Sequence, residues 1–395
     1  MQALGLDRRV RHGRRRDVAF YAPWLTPRLA ATETVDRTRS GLGGGETQIM
    51  LLSRALADVG LAVCLTVAEV PTISVPASVD GVDIVLRPPY VAGGGWRGKL
   101  RELAAVRDAV RRSNARVMVT RGADFSVGLV ALSAKLERRR FVFSSASLAD
   151  FDYEQVLPHR RDQILYRLAV ALADVIVVQT EEQIELCEKR FRKTPILIRS
   201  LSEPPQPNDR QREAFLWVGR AEPNKQPLIY VELARALPDA HFWMIARPTD
   251  TAESKQLWLQ VEEAAASLAN LELVPPRPRP QLLELMQRAV AVVSTSGFEG
   301  MPNIFLEAWA NGTPTLALNH DPDGIITRHE LGGYADGQLP HLIQLADDHW
   351  RNRHTAHERA SRYQTYVNAH HSPSTIGTAW ADALQLRPAH SVGVP

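Results

Sequence analysis

Short solid runs of apolar residues recur along this chain, each followed by a stretch whose apolar positions return every three or four residues. Runs at 17–21, 62–67, 116–120, 141–144, 175–178 and 195–198 alternate with helical patterns at 46–59, 98–112, 125–136, 158–173 and 180–191. Strands that are apolar throughout are covered on both faces, and such alternation makes a parallel sheet with helices on either side. The pattern stops at 202–211, which holds three prolines and no apolar residue, the composition of an interdomain linker. It then resumes, with strands at 214–218, 241–246, 271–274, 289–293 and 315–318 and helices at 227–236, 254–266, 281–288 and 375–384. Residues 71–96 follow neither period. The expected fold class is α/β, with two Rossmann-like domains facing across a cleft. They span 17–201 and 212–373, joined by the linker at 202–211, preceded by a tail at 1–16 and followed by a closing helix and tail at 374–395.

A chain of 395 residues with 45% hydrophobic content can bury two such cores. Its net charge of +3 is unevenly placed, because residues 1–16 hold six arginines against Asp7 alone. That segment reads first as a solvated tail, and in a sharper reading as a peripheral contact with an anionic membrane. No later basic, aromatic-interleaved surface recurs, so nucleic acid is not an expected partner. Cys64 and Cys187 lie in apolar patterns with no metal or disulfide spacing, which fits a reducing compartment. The longest apolar stretch, 168–178, is too short to span a bilayer and is interrupted by Asp174, and the arginine-rich start lacks the apolar core of a signal peptide. A cytoplasmic protein, with membrane association through residues 1–16 as an addition, is expected.

The chemistry concentrates in 294–312. There the strand 289–293 runs into a glycine-hinged loop, then a short helix with Pro302 in its first turn and Asn311 and Gly312 at its stop. A helix start at the C-terminal edge of a strand offers free N–H groups and a positive dipole end, the cheapest place to hold phosphate. Glu299 precedes this helix and Glu307 lies inside it, leaning back toward its start. Acids repel phosphate, but a carboxylate accepts two O–H donors and suits a sugar diol. Taken alone, each is as easily a solvated surface residue. A glycosidase pair is a poorer fit, since those enzymes need no phosphate-ready helix between their acids.

Two further loops have the same position at strand ends. Gly219, Arg220, Glu222 and Lys225 follow the strand 214–218 and offer two cations against one acid, either a phosphate clamp or a solvated pair. The glycines at 41 and 43–45, before Glu46, fit neither the dinucleotide fingerprint nor the P-loop. They are a flexible turn, or a place where bare backbone approaches a phosphate. Asp321 to Gly324 is most simply a turn. His159, His320, His370 and His371 have no metal-ligand spacing, so no metal site and no cofactor is expected.

Glu299, Gly300, Pro302, Asn303, Glu307 and Ala308, ending at Gly312 and Pro314, resemble the Glu-x7-Glu signature of retaining, GT-B-fold glycosyltransferases of family 4 (glycosyl transferases group 1). The loop from Gly219 and Arg220 to Lys225 and the run from Gly43 to Glu46 match the same family in the same order, so the resemblance covers nearly everything from 17 to 385. It implies a nucleotide-diphosphate sugar in the cleft as donor, with a glycan, lipid-linked or small-molecule acceptor. It also implies Arg220 and Lys225 on the diphosphate, Glu307 on the ribose and Glu299 on the transferred sugar. Backbone from Gly300 through Met301 and Pro302 to Asn303 would assist, Gly44 and Gly45 would approach from the other half, and the last helix would cross back to the N-terminal domain. The chain departs from the family where many relatives carry histidine, reading Thr120, Arg121 and Ser144, Ser145. It also has 199–202 in place of the usual Asn-Gly turn before the linker. The implied activity is metal-independent, retaining sugar transfer. A sugar-nucleotide epimerase or a catalytically inactive sugar-nucleotide-binding or partner-binding protein are its rivals.

Overall fold

The computed structural model describes residues 15–29, 44–89 and 95–387. The first sheet contains β1 (Arg16–Tyr21), β2 (Val63–Ala68), β3 (Ser78–Val79), β4 (Val82–Arg87), β5 (Ala115–Arg121), β6 (Arg140–Ser144), β7 (Val175–Val178) and β8 (Ile196–Leu197). Their order is β3-β4-β2-β1-β5-β6-β7-β8, parallel throughout except for the β3–β4 pair. The second sheet contains β9 (Ala214–Arg220), β10 (Phe242–Arg247), β11 (Leu271–Leu273), β12 (Ala289–Ser294), β13 (Thr315–Ala317) and β14 (Gly332–Tyr334). Its order, β11-β10-β9-β12-β13-β14, is all parallel. Among the parallel strands of each sheet the order reverses once, between β1 and β5 and between β9 and β12. Ligands of doubly wound sheets sit at the strand C-termini beside such a reversal.

The first sheet is covered by α1 (Gly44–Asp58), α2 (Gly95–Ser113), α3 (Val127–Leu136), α4 (Tyr153–Val156), α5 (Arg160–Leu172) and α6 (Glu181–Phe191). The second is covered by α7 (Pro227–Ala236), α8 (Ala252–Ala266), α9 (Arg279–Arg288), α10 (Asn303–Ala310), α11 (Ile325–Arg328) and α12 (Leu339–Arg351). Two more helices, α13 (Ala360–His371) and α14 (Pro373–Ala383), end the described chain. Local rules set many of these ends. In α6 the Thr180 hydroxyl caps the Gln183 N–H at 3.3 Å, with Glu181 and Glu182 in the first turn, Lys189 and Arg190 in the last, and Arg192 left-handed at the stop. Gly312, at φ 68°, stops the chain after α10.

No helix or strand lies between Leu197 and Ala214. The link is nonetheless anchored: Arg212 is buried, its guanidinium donating to the Gly312 carbonyl at 2.6 Å and to the Thr313 hydroxyl at 2.8 Å. The chain crosses back between α13 and α14. There the Ser202 N–H donates to the His371 carbonyl at 2.9 Å and the His371 ring pairs with the Ser200 carbonyl at 2.7 Å. Burial pushes the His371 pKa down to about 3, so the ring is neutral. Past the crossing, Ile376, Trp380 and Leu384 of α14 join the first core, with Leu52 and Leu56 of α1. A Cβ on Gly377 would come within 2.9 Å of the Ala55 carbonyl, so the two helices meet backbone to backbone.

Several features depart from the periodicity. Arg16 belongs to β1 rather than to a tail: its guanidinium pairs with Asp83 at 2.7 Å and donates to the Ser113 carbonyl at 3.0 Å. Residues 1–14 of the basic segment lie outside the described residues, and Arg15 is exposed. In 71–89, β3 and β4 form a hairpin about Asp80 and Gly81, both at positive φ. Helix α2 starts at Gly95, ahead of Gly98, while β14, α12 and α13 occupy a region where the sequence pattern predicts no element. Cys64 and Cys187 are free and buried, and burial raises their thiols to about 12 and about 11. No helix among the described residues is long and apolar enough to cross a membrane.

Candidate active site

The loops that leave β9 and β12, on either side of the reversal, are laced into one body. Trp217, in β9, donates its indole N–H to the Thr295 hydroxyl at 3.0 Å, and that hydroxyl donates to the Lys225 carbonyl at 2.6 Å. The Gly297 N–H donates to the Asn224 carbonyl at 2.8 Å, and the Asn224 amide donates to the Phe298 carbonyl at 3.0 Å. Asn319 ties both loops together through the Gln226 side chain at 3.0 Å and the Thr295 carbonyl at 3.1 Å. Side chains on the two loops are therefore fixed relative to each other, as a preorganised site requires.

Of the expected site residues, Arg220 is exposed at the end of β9 and pairs with Glu222 at 3.1 Å. Lys225 and Glu299 are joined in an ion pair, both partly shielded. Sheet register sets Arg247, at the end of β10, beside Arg220. Burial, then the charge of Arg220, lowers the Arg247 pKa. Arg247 is not part of the sequence motif; its signal is a cation at a strand end, visible only once β9 and β10 are known to be neighbours.

Helix α10 begins immediately after the loop with no side chain capping its first turn, because Pro302 occupies the cap position. The Asn303 side chain turns instead to the other half: its amide donates to the Gly44 carbonyl at 2.7 Å and its oxygen accepts from Gln48 at 2.9 Å. A Cβ at Gly44 would lie 2.2 Å from the Asn303 amide nitrogen and would displace that side chain, whereas a Cβ on Gly45 would meet nothing within 4 Å. Gly43 and Gly41 lie outside the described residues. Gly300 is a second close approach: a Cβ would come 3.0 Å from the Gln183 amide and 3.3 Å from the Ala146 carbonyl, both in the N-terminal half. Its own carbonyl pairs with the His320 ring at 2.9 Å. The Met301 side chain is buried with Phe305, Leu306 and Trp309, so only its backbone is available to a ligand.

The Glu307 carboxylate accepts from Arg279 at 2.9 Å, and the other edge of that guanidinium donates to Glu203, on the linker, at 3.2 Å. Burial raises the Glu307 pKa, with Arg279 pulling against it. For Arg279, burial works to lower the pKa, and the two carboxylates outweigh it to leave the group firmly charged. Arg28, on the short 3-10 segment Pro23–Leu29, bonds Thr47 at 2.9 Å; burial, then the charge of Arg279, lowers its pKa. Asp321 and Asp323 have other tasks. Asp321 accepts the Ile326 N–H at 2.8 Å, while Asp323 accepts the Glu181 N–H at 2.9 Å and pairs with Arg199, clasping the two halves together. No group of metal-ligating side chains gathers among the described residues. A groove of about 430 Å³ between α7 and α8 is lined by residues such as Pro227, Leu228 and Leu257, and by none of the expected site residues.

The two halves match two family models in tandem: residues 43–198 the Glycosyl transferase 4-like domain, and residues 200–334 the Glycosyl transferases group 1. Among curated proteins, D-inositol 3-phosphate glycosyltransferase of Mycobacterium avium (strain 104) is 36% identical over 147 residues, covering 36% of this chain and 32% of the relative. The protein of that name from Corynebacterium glutamicum (strain R) is 26% identical over 207 residues, 45% of this chain and 50% of the relative. The chain thus matches between a third and a half of the length of these relatives. Among solved structures, sucrose-phosphate synthase from Thermosynechococcus elongatus superposes with TM-score 0.73 at 16% identity, over 94% of this chain and 98% of the other. Anabaena HepE in complex with UDP-glucose gives TM-score 0.66 at 15% identity, over 94% and 99%.

Proposed function

The chain belongs to the GT-B-fold glycosyltransferases of group 1, and on that premise we propose a retaining, metal-independent transfer of a sugar from a nucleotide-diphosphate sugar to an acceptor. The observation that carries this reading is the laced pair of loops at the β9–β12 reversal, where Arg220, Lys225 and Arg247 gather beside the uncapped start of α10. Breaking the sugar–phosphate bond leaves new charge on the diphosphate. Fixed cations and a helix N-terminus stabilise that charge without a metal ion. Arg220 and Lys225 hold the diphosphate, Glu307 accepts the ribose hydroxyls and Glu299 those of the transferred sugar. Lys225 and Glu299 start as a pair, so the donor exchanges their mutual contact for one with each.

In the transfer, the acceptor oxygen bonds to the anomeric carbon on the face the diphosphate leaves, the carbon–oxygen bond to phosphate breaks, and the acceptor proton passes to the departing phosphate oxygen. No protein base is needed for that step. Curated relatives named for an inositol phosphate and a neighbour holding UDP-glucose make a polyol acceptor and a UDP-sugar the first compounds to try. A panel of UDP, GDP and ADP sugars tests the donor, since a ligand at about a hundred times its dissociation constant stabilises the fold by roughly 2.7 kcal/mol. Arg220→Ala and Glu299→Ala variants that fold normally are expected to lose about a hundredfold in transfer rate. Wild-type rates in both would overturn the assignment, release of an isomerised free sugar would favour an epimerase, and binding without turnover an inactive sugar-nucleotide-binding protein. The site of work is the cytoplasm, with the arginines of residues 1–15, ahead of β1, touching anionic lipid. Liposome binding that survives their removal would refute that contact.

A further inference from the structure

The N-terminal wall of the cleft carries a cation that the donor reading does not use. Arg121 ends β5 beside the β1–β5 reversal of the first sheet, in register with Ser144 at the end of β6. Its Nη1 donates to the Ser144 hydroxyl at 3.0 Å. Its Nε is buried with no partner, and the hydroxyl of the neighbouring Thr120 is buried and unpartnered too. Among the described residues no carboxylate is close enough to pair with this guanidinium.

The acid whose charge reaches it, Asp150, is committed elsewhere. That buried carboxylate accepts the N–H groups of Ala123 at 2.7 Å, Ala146 at 2.5 Å and Ser147 at 3.1 Å, and the Ser145 hydroxyl at 3.0 Å. Asp150 therefore holds the loops after β5 and β6 rigid and attracts Arg121 without neutralising it. Gly300 of the signature loop lies against this same segment, its Cβ position 3.3 Å from both the Ala146 carbonyl and the Ser147 Cα. The guanidinium is thus one loop away from the place where the two halves meet over the donor.

Arg121 is partly exposed but its Nε is sealed from solvent; a guanidinium so placed is costly unless an anion completes it, and burial pulls its pKa down to about 10. With Nη1 taken by Ser144, the Nε–Nη2 edge has no partner among the described residues, and that edge is the fork that grips a carboxylate or phosphate through two parallel hydrogen bonds. We propose that Arg121 binds an anionic group of the acceptor, a phosphate or a carboxylate, so that the acceptor of this chain is an anion. The acceptor part of this statement rests on the glycosyltransferase reading; the anion site itself does not.

The test is a thermal-shift titration of wild type, Arg121→Gln and Arg121→Lys with glycerol 3-phosphate, glycerate and glycerol, each with and without UDP, GDP or ADP. Either anion is expected to stabilise wild type where glycerol does not, and the responding anion tells phosphate from carboxylate. Arg121→Gln should abolish that shift, and Arg121→Lys, which keeps the charge but not the fork, should raise the half-saturating concentration about tenfold. The nucleotide shift should stay unchanged in both variants. Equal anion shifts in wild type and Arg121→Gln, or none in wild type, would overturn the proposal, as would loss of the nucleotide shift in Arg121→Gln, which would move Arg121 to the donor. Absence of a shift with all three nucleotides would count against the glycosyltransferase reading alone, because the anion titration is read without them.

Discussion

The two acids of the signature stretch share one loop and one helix and are shielded alike, 18% and 15% exposed, but they keep different company. Glu299 is paired with Lys225 on the loop after β9. Glu307 is paired with Arg279, whose other edge holds Glu203 on the linker. One pair belongs to a single domain and can part when a ligand arrives. The other couples the site to the segment that joins the domains. On the proposed reading, the difference separates a pair that meets the donor from a pair that also carries structure, and each variant below should move one without the other.

Lys225→Met should have the largest effect. If Lys225 holds the departing diphosphate as proposed, its loss lowers the transfer rate about a hundredfold, close to 3 kcal/mol of barrier. The melting temperature should hardly change, since a partly exposed ion pair contributes little. Arg279→Met should show the reverse balance. It strands two carboxylates, Glu307 and Glu203, and should cost about 2 kcal/mol of stability, a value already reduced from that of a fully buried pair because the cluster is partly exposed. Steady-state kinetics with urea unfolding of both variants checks the contrast. Equal stability losses would remove it.

Proton binding sharpens the same contrast. The folded-state pKa of Glu307 is raised, so the folded chain holds that proton more tightly than the unfolded chain does. Between the ordinary carboxylate value and the raised one, this residue therefore makes the fold more stable as pH falls and less stable as pH rises. Ligand binding runs the other way, because a protonated Glu307 has lost acceptor capacity for ribose hydroxyls. Nucleotide affinity should fall as the pH drops through the Glu307 pKa. In Arg279→Met, where the pull of the guanidinium is gone, the fall should begin at higher pH. Calorimetric titration with a nucleoside diphosphate across pH reads it, and superimposable profiles would separate Glu307 from the ribose.

Much of this arrangement is legible in the sequence. Solid apolar runs mark the parallel strands, and the prolines at 204, 205 and 207 mark the link between sheets. The uncapped start of α10 follows from a proline after a glycine loop at a strand end. What escapes has a physical reason in each case. In β4 the apolar run is interrupted by Asp83, which serves Arg16, though Asp80 and Gly81 are a hairpin signal in plain view. Strand β14 is three residues with two glycines, and the Cβ position of Gly332 overlaps the Thr315 carbonyl, so space rather than β propensity selects it. Arg247, Arg279 and Arg121 reach the cleft only through strand order and domain apposition. No local spacing encodes either.

The smallest expected effect lies midway between the two acids. Asn303 is four residues from each, and its side chain spends both ends on the N-terminal half, donating to the Gly44 carbonyl and accepting from Gln48. A methyl group at position 44 would overlap the amide nitrogen, so Gly44→Ala must turn the Asn303 side chain away and break both contacts. At about 1 kcal/mol for each hydrogen bond, partly recovered with water, the loss is on the order of 1 kcal/mol. It should appear as a several-fold weaker apparent affinity for donor with the turnover rate kept, because Arg220 and Lys225, proposed to hold the diphosphate, are undisturbed. Gly45→Ala is the internal control: open space surrounds its Cβ position, and alanine suits the first turn of α1, so stability should stay or rise slightly. If the two substitutions behave alike, Asn303 does not tie the halves together, and the contrast between Glu299 and Glu307 then rests on Arg279 alone.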